Sequence, residues 1–297
     1  MVMRIAVILL VVVGVVAGTY FVLGGSRKAV LPGRRATKAA VEVGRIDSKR
    51  IAESSGLVAS RTHAGVFWTH NDKGNSAAIY AIKRDGELIA EFRVDGKNDD
   101  WEDISIDDEG YLYIARTGNN DAKKDEVSVV RIDEPDPYAS EKARKDRIKL
   151  EQVWRLRYPG KPFDAESLFI HGGHGYVVSK LFNGKKAAIY RFALDDGEKP
   201  RKLELVTEVP ITSPATSADI SRDGKRLVVL CGGGLVLFPI DGDVAKAGSV
   251  TPVHYPLPDL KFEGCCFTED GVLLSAESRE MYFCPFEEGA GTAVVAP

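Results

Sequence analysis

The stretch EDISIDDEGYLYIARTGNN, Glu102 to Asn120, consists of an acid, a short apolar segment, a polar turn, a second apolar segment and a polar end. Two such segments around a turn predict a β-hairpin. The same arrangement recurs four times at steps of about 44 to 64 residues. The recurrences are ESSGLVASRTHAGVFWTHND (Glu53–Asp72), ESLFIHGGHGYVVSK (Glu166–Lys180), ADISRDGKRLVVLC (Ala218–Cys231) and EGCCFTEDGVLLSAE (Glu263–Glu277).

Further strands follow these hairpins, such as AAIYAIKRDG (Ala77–Gly86) and ELIAEFRV (Glu87–Val94). Units of four antiparallel strands at this period predict an all-β β-propeller over residues 41–297. Five blades are counted. A sixth is possible in the long step before Glu166, although DEPDPYASEKARKDR (Asp133–Arg147) there resembles a charged loop. AAVEVGRI (Ala39–Ile46) is expected to complete the last blade and close the ring. The repeat argues against a two-layer sandwich.

In a propeller the start of each first strand and the end of each second strand meet at one end of the central channel. The acids that begin the five motifs are therefore expected at one channel mouth as candidate metal ligands. These are Glu53, Glu102, Glu166, Asp219 and Glu263. The expected ligand-binding residues beside them are His70, Asn71, Asp72, Asp103, Asn119, Asn120, Lys180 and Glu277. A one-residue difference in register would put Asp219 in a different layer from the four glutamates.

Carboxylates that converge in a narrow channel repel one another unless something compensates. The sequence leaves three possibilities open. A Ca²⁺ ion is bound by the acids, the acids accept backbone hydrogen bonds, or some of them stay protonated. Lys180 is the only cation expected among them. His70 is either a general base oriented by Asp72 or a polar residue of a turn.

The long apolar run Ile5–Gly25 is followed by a basic segment, residues 26–40. Its length of about 21 residues favours a transmembrane anchor over a cleaved signal peptide. Cleavage, the alternative, would release a secreted protein. The basic residues after the run favour a cytoplasmic domain. The short basic head before it favours export, to the periplasm or cell surface, which we prefer.

Without residues 1–35 the chain carries a net charge of about −8, which argues against nucleic acid as a partner. The four cysteines, Cys231, Cys265, Cys266 and Cys284, contain no CxxC pair. They are expected to be buried small apolar residues, with a bridge from Cys284 to Cys265 or Cys266 as the alternative. The sequence contains no GxSxG, HExxH or GxxxxGK[ST] motif, and no nucleotide cofactor is expected.

Several short motifs resemble a largely uncharacterised family of bacterial exported β-propeller proteins. They are ESSGL, HNDKGN, DWEDI, GNN, DAESL and SADISRDG, between Glu53 and about Glu277. That family is related to the six-bladed group of gluconolactonases and calcium-dependent phosphotriesterases. In those enzymes one Glu, Asn residues and an Asp hold a channel Ca²⁺. The resemblance implies Glu53 as the Glu, Asp219 as the Asp and Asn119 or Asn120 as an Asn. The chain departs from this pattern by offering Glu166 and Glu263 and no clear second Asn.

Two functions are consistent with the sequence. The first is a membrane-tethered propeller that binds a small molecule or a protein at an acidic channel mouth, with or without Ca²⁺. The second is a Ca²⁺-dependent hydrolase of a lactone or ester, in which the ion polarises the carbonyl. The absence of a nucleophile motif favours the first.

Overall fold

A computed structural model describes residues 30–181, 185–197 and 199–286. These residues form β-strands and two short 3-10 segments, Ala143–Lys145 and Val244–Gly248. The described ranges contain no helix long and apolar enough to cross a membrane. The predicted anchor, residues 1–25, lies outside those ranges.

The strands form five sheets, numbered here as blades 1 to 5 along the chain. Two short strands precede the blades: β1 (Arg34–Arg35) and β2 (Val41–Arg45). Blade 1 contains β3 (Ser54–Ala59), β4 (Phe67–Asn71), β5 (Ala78–Ile82) and β6 (Leu88–Arg93). Blade 2 contains β7 (Asp103–Ile106), β8 (Tyr111–Arg116), β9 (Glu126–Asp133) and β10 (Gln152–Arg157).

The remaining three blades follow the same antiparallel order. Blade 3 contains β11 (Asp164–His171), β12 (His174–Lys180) and β13 (Ala187–Ala193), and after the short β14 (Arg201–Lys202) it ends with β15 (Glu204–Val209). Blade 4 contains β16 (Ala215–Ile220), β17 (Arg226–Cys231), β18 (Gly234–Pro239) and β19 (Val253–Pro256). Blade 5 contains β20 (Phe262–Phe267), β21 (Gly271–Ala276) and β22 (Glu280–Pro285).

The ring is closed by the N-terminal strand β2, which pairs antiparallel with β22 and gives blade 5 its fourth strand. This confirms the closure predicted from AAVEVGRI. Nearby, β1 pairs in parallel with β19, so Arg34 and Arg35 of the basic segment lie against blade 4.

The first strand of each blade lines the channel. β3 lies beside β7, β7 beside β11, β11 beside β16, β16 beside β20, and β20 beside β3. The apolar core is divided into five clusters, and each fills the space between two neighbouring blades. Removing these faces from water is the main stabilising contribution to the ring. Each cluster contains residues of both blades: from blades 1–2 round to 5–1, examples are Trp68 and Ile104, Trp154 and Leu168, Phe169 and Phe238, Leu230 and Cys265, and Leu273 and Leu57.

Five blades account for all the sheets in the described ranges, and the five-blade prediction is confirmed. The long step before Glu166 contains no sixth blade. It holds β9, a loop with the 3-10 segment Ala143–Lys145, and β10.

All four cysteines are buried and unpaired. Cys265 packs between blades 4 and 5, and Cys266 packs between blades 5 and 1. The two adjacent side chains thus point to opposite faces of β20, as alternation along a strand requires.

Gly56 is a point where two blades approach closely. Its φ is +74°, and a Cβ there would lie 2.8 Å from Asp103 Oδ1 and 2.8 Å from the Ile104 nitrogen. Gly65, in the β3–β4 turn, has a φ of +76° with nothing within 4 Å of an added Cβ. A side chain at either glycine would strain the backbone, but only at Gly56 would it also collide with a neighbouring blade.

We expect Gly56→Ala to destabilise the fold by about 3 kcal/mol, because it adds a clash between blades to the cost of a left-handed backbone. Gly65→Ala carries the backbone cost alone, about 1 kcal/mol. Urea unfolding of both variants measures the difference. Equal losses would show that blades 1 and 2 do not meet at Gly56.

Candidate functional site: an acidic channel mouth

One end of the channel opens into a small acidic cavity. It is lined by Glu53, Ser54, Ser55, Asp72, Glu102, Glu166, Lys261, Glu263 and Glu277. Its free volume is about 20 Å³, enough for about one water molecule or an ion. We call the seven carboxylates at this end the acidic mouth: Glu53, Asp72, Glu102, Asp164, Glu166, Glu263 and Glu277.

Irregular backbone at the start of the channel strands places two of the glutamates. The pairing register shifts between Ala165 and Leu168 in β11, and between Phe262 and Gly264 in β20. An extra residue in a strand bends it locally and re-aims a side chain. The shifts lie at Glu166 and Glu263, whose side chains line the cavity.

Side-chain hydroxyls connect neighbouring blades at this level. Ser55 Oγ donates to the Glu102 carbonyl at 2.9 Å, and Thr117 Oγ1 donates to the Ala165 carbonyl at 2.6 Å. Thr216 Oγ1 donates to the Phe262 carbonyl at 2.9 Å. These contacts fix the backbone next to Glu102, Glu166 and Glu263.

Glu102, Asp164 and Glu166 form the tightest group of acids. Each offers a carboxylate oxygen, and the three oxygens lie within 4.8 Å of one another. All three residues are buried. Asp164 Oδ1 accepts the Asn119 N–H at 2.7 Å, whereas Asp164 Oδ2 is buried without a hydrogen-bond partner among the described residues. We call these three residues the carboxylate triad.

Burial raises the pKa of every member of the triad. It raises the pKa of Glu102 to about 10, and the neighbouring carboxylates, Glu166 foremost, add to the shift. It raises the pKa of Glu166 to about 7, against the opposing effect of the Lys180 ammonium. It also raises the pKa of Asp164, although the Asn119 N–H acts in the other direction. Without a bound cation the triad therefore favours protonation.

Four lysines, rather than Lys180 alone, accompany the acids, which corrects the prediction from sequence. Lys180 pairs with Glu166. Lys261 lies 3.0 Å from Glu263 and 2.5 Å from Glu277. The other two, Lys73 and Lys124, lie 3.1 Å and 2.6 Å from Asp100. Lys261 was not predicted because it precedes the fifth motif, and Lys124 was not predicted because it lies in a loop.

Asp103 fills the centre of the channel below the mouth. Its carboxylate accepts the N–H of Ile104 and of Leu168, both at 2.9 Å, and of Ala218 at 3.3 Å, together with the Ser217 hydroxyl at 3.2 Å. Burial raises its pKa, and these donors oppose the shift. It was predicted as a ligand-binding residue, but its oxygens are engaged by blades 2, 3 and 4.

Asp219 does not lie with the four glutamates that were expected to accompany it. Its side chain points deeper into the channel, where Oδ1 accepts the Ile220 N–H and Oδ2 accepts the Phe267 N–H, both at 2.8 Å. Burial raises its pKa to about 6. Asp219 thus lies in a different layer from the glutamates, but the offset is larger than one residue, since Asp219 pairs as Ser105 does, one residue before the last pair of its strand.

His70 is fully buried between blades 1 and 2 and does not line the cavity. Its Nδ1 lies 3.0 Å from the Asn71 carbonyl, and its ring packs edge-on against Trp101 with centroids 5.6 Å apart. Burial lowers its pKa to about 4, so the imidazole is neutral near pH 7. This position does not suit a general base for a reaction at the mouth.

The predicted asparagine ligands have other roles or positions. Asn71 Nδ2 donates to the Arg50 carbonyl and to the Tyr80 hydroxyl. Asn119 Nδ2 similarly donates to the Lys124 carbonyl and to Tyr158, and its Oδ1 accepts two backbone N–H groups. Asn120 is exposed beside it.

The most important residue missed from the sequence is Asp164. Blades 2 and 3 share an Asp-x-Glu pattern, Asp100-x-Glu102 and Asp164-x-Glu166, which was visible in the aligned motifs. Gly118 shows how closely the backbone packs against the carboxylate triad. An added Cβ there would lie 2.0 Å from Glu102 Oε1, so a side chain at this position would force the Glu102 carboxylate to move.

No protein-family model matches this sequence, and no curated protein matches it. The chain is similar in structure to virginiamycin B lyase from Staphylococcus aureus, with 14% identity and a TM-score of 0.41 over 79% of this chain and 66% of the lyase. It is also similar to a gluconolactonase from Xanthomonas campestris, with 14% identity and a TM-score of 0.47 over 86% of this chain and 99% of that chain. This chain thus spans just under two thirds of the lyase. The particular family suggested by the short motifs stays a prediction.

The raised carboxyl pKa values predict how stability depends on pH in the presence of a chelator. The folded triad holds protons that the unfolded chain releases above about pH 4.5, so stability falls as pH rises from about 5 towards 10. Each retained proton contributes a slope of up to about 1.4 kcal/mol per pH unit. We expect Glu102→Gln to flatten this slope and to exceed wild-type stability at pH 8 by at least about 1 kcal/mol.

The measurement is urea unfolding between pH 5 and 9 in chelator. Glu109→Gln, a matched change at an exposed position in the β7–β8 turn, should leave the wild-type slope unchanged. Parallel profiles for wild type and Glu102→Gln would show that Glu102 is ionised in the folded protein.

Proposed function

We propose that this protein is a binding β-propeller whose acidic mouth holds one divalent cation, Ca²⁺, between Glu102, Asp164 and Glu166. The observation that carries the proposal is the buried Asp164 Oδ2, which has no partner among the described residues and lies beside two further buried carboxylates. A buried polar atom is normally satisfied, and a bound cation would satisfy this one.

The chemistry of the donors favours a hard cation. All three ligand groups are carboxylates, and the buried His70 and the four cysteines lie elsewhere. Oxygen-only sites suit Ca²⁺, Mg²⁺ or Mn²⁺ rather than zinc or copper. Carboxylates that bind through one or both oxygens, with water, provide the six to eight ligands that Ca²⁺ takes.

The predicted metal ligands outside the triad are assigned other roles in this proposal. Glu263 is compensated by Lys261 at 3.0 Å. Glu53 is exposed at the rim, where Asn75 Nδ2 donates to it at 3.2 Å. Asp219 is held by backbone N–H groups in the deeper layer.

The size of the cavity favours binding over catalysis. A volume of about 20 Å³ admits an ion but not a lactone or an ester. A larger ligand or a partner protein would lie over the mouth, against the rim acids Glu53, Asp72 and Glu277. Because this rim is acidic, we propose that the ligand or partner presents positive charge there.

Hydrolysis at the mouth would need a group that transfers protons. His70, the histidine considered for this role, is buried behind the mouth wall, so the transfer would fall to an acid such as Glu166, whose pKa burial raises to about 7. A panel of lactones and esters, assayed with Ca²⁺, distinguishes the two functions. Turnover that is lost in Glu102→Gln would favour the hydrolase.

The proposal includes an extracytoplasmic propeller tethered to the membrane by Ile5–Gly25. The support is the length of this apolar run and its short basic head. Membrane fractionation of the full chain, compared with a chain that begins at Val30, tests the tether.

We expect purified protein to contain about one Ca²⁺ per chain by mass spectrometry and to melt at a lower temperature after chelation, because Ca²⁺ binds only the folded triad. Calorimetric titration should then show one site. Asp164→Asn and Glu102→Gln should each weaken Ca²⁺ binding at least tenfold, since each removes a charged ligand.

Glu109→Gln provides the matched control and should bind Ca²⁺ as wild type does. In chelator, Glu102→Gln should melt higher than wild type, so a loss of binding would not reflect a loss of fold. A metal-free protein whose melting temperature does not respond to millimolar Ca²⁺ would contradict the proposal, and the triad would then be protonated.

A further inference from the structure

The opposite end of the channel opens into a second and much larger cavity of about 550 Å³. It is formed by the turns β3–β4, β16–β17 and β20–β21, which belong to blades 1, 4 and 5. Its volume lies within the range of small-molecule sites, about 300–1,000 Å³. Four arginines line it, and we call it the arginine cavity: Arg61, Arg84, Arg222 and Arg226.

Two of these arginines are held by other side chains. Arg84 pairs with Asp270 at 3.1 Å, and its guanidinium lies 3.8 Å from the centre of the Phe283 ring. The Arg226 guanidinium lies 4.2 Å from the centre of the Phe286 ring. Both guanidinium groups are therefore already engaged by other side chains and are not the first candidates for binding a ligand.

Arg61 and Arg222 are different. In the part of the chain that the structure describes, neither has a carboxylate within 4.0 Å. Arg61 Nε is buried and has no hydrogen-bond partner there. The Arg61 guanidinium lies close enough to the channel for its charge to oppose the effect of burial on the pKa of Asp219. A buried polar group is normally hydrogen-bonded, so the Arg61 Nε–H calls for an acceptor.

The three acids at the rim, Asp223, Glu269 and Asp270, do not supply that acceptor: Glu269 is exposed, and no ion pair joins it to Arg61 or Arg222 among the described residues. Asp223 accepts the Ser221 hydroxyl at 2.6 Å and the Lys225 N–H at 3.1 Å within its own turn. Asp270 accepts the Thr268 hydroxyl at 2.8 Å as well as Arg84. Between the charges, the walls include apolar groups, among them Ala59, Val66, Phe67 and Phe267.

We propose that the arginine cavity binds a small organic anion, a carboxylate or phosphate group attached to an apolar body. Arg61 and Arg222 hold the oxyanion, because guanidinium N–H groups match the spacing of carboxylate and phosphate oxygens. The apolar body packs against Phe67 and Phe267. The site is separate from the acidic mouth and does not depend on the cation proposed there.

Calorimetric titration with four probes tests this proposal: phenyl phosphate, benzoate, inorganic phosphate and benzyl alcohol. We expect phenyl phosphate or benzoate to bind at least tenfold more tightly than both inorganic phosphate and benzyl alcohol, because the site needs the charge and the ring together. The better of the two aromatic anions identifies the oxyanion that the cavity prefers.

Arg61→Gln and Arg222→Gln should each weaken binding of the better probe about tenfold. Arg191→Gln, an exposed arginine on β13 that pairs with Glu204, is the matched control and should bind as wild type does. Both cavity variants should also keep the wild-type response to Ca²⁺, which separates this site from the mouth.

Three results would overturn the proposal: no binding of either aromatic anion at 10 mM, equal binding of benzyl alcohol, or unchanged affinity in Arg222→Gln. Arg222 is exposed, so its replacement leaves the packing of the propeller intact. Its result therefore decides the question even if Arg61→Gln is unstable.

Discussion

The structure depends on the Asp103 carboxylate, which joins three blades at the centre of the channel. It accepts hydrogen bonds from its own blade 2, from Leu168 of blade 3 and from Ser217 and Ala218 of blade 4. Blade 1 closes against it at Gly56, where only a glycine fits. A buried carboxylate is tolerated because donors surround it. By filling the channel here, Asp103 lies between the acidic mouth and the layers that lead to the arginine cavity.

The five blades have the same four-stranded backbone arrangement but differ in the side chains that they place at the mouth. Two residues before Glu102, Glu166 and Glu263, the chain carries Asp100, Asp164 and Lys261, and in blade 4 Pro214 stands two residues before Thr216. Excess negative charge is therefore concentrated where blades 2 and 3 meet. Asp100 is paired with Lys73 and Lys124, whereas no lysine pairs with Glu102 or Asp164 among the described residues. The repeat explains the fold, and these departures from it create the candidate site.

The sequence was sufficient to predict the propeller, its five blades and the closing strand, because each follows from strand periodicity and repeat length. It also identified Glu53, Glu102, Glu166 and Glu263, which line one cavity. It could not fix side-chain direction. Glu166 lies at the register shift of β11, whereas Asp219 lies three residues beyond the shift of β16, and such shifts leave no reliable mark on hydrophobic alternation. Lys124 and the lining of the arginine cavity lie in loops and turns, whose positions depend on tertiary packing.

The two ends of the channel differ in how their charges are satisfied. At the mouth, burial and neighbouring carboxylates raise the pKa values of Glu102 and Glu166, which favours protonation or a bound cation over a set of ionised acids. The proposed cation would fit the volume and would also satisfy Asp164 Oδ2. At the other end, guanidinium groups cannot relieve burial by losing a proton, because arginine remains charged in proteins. The proposed anion would satisfy the Arg61 Nε–H, and the space around it is large enough for an organic anion rather than a single water.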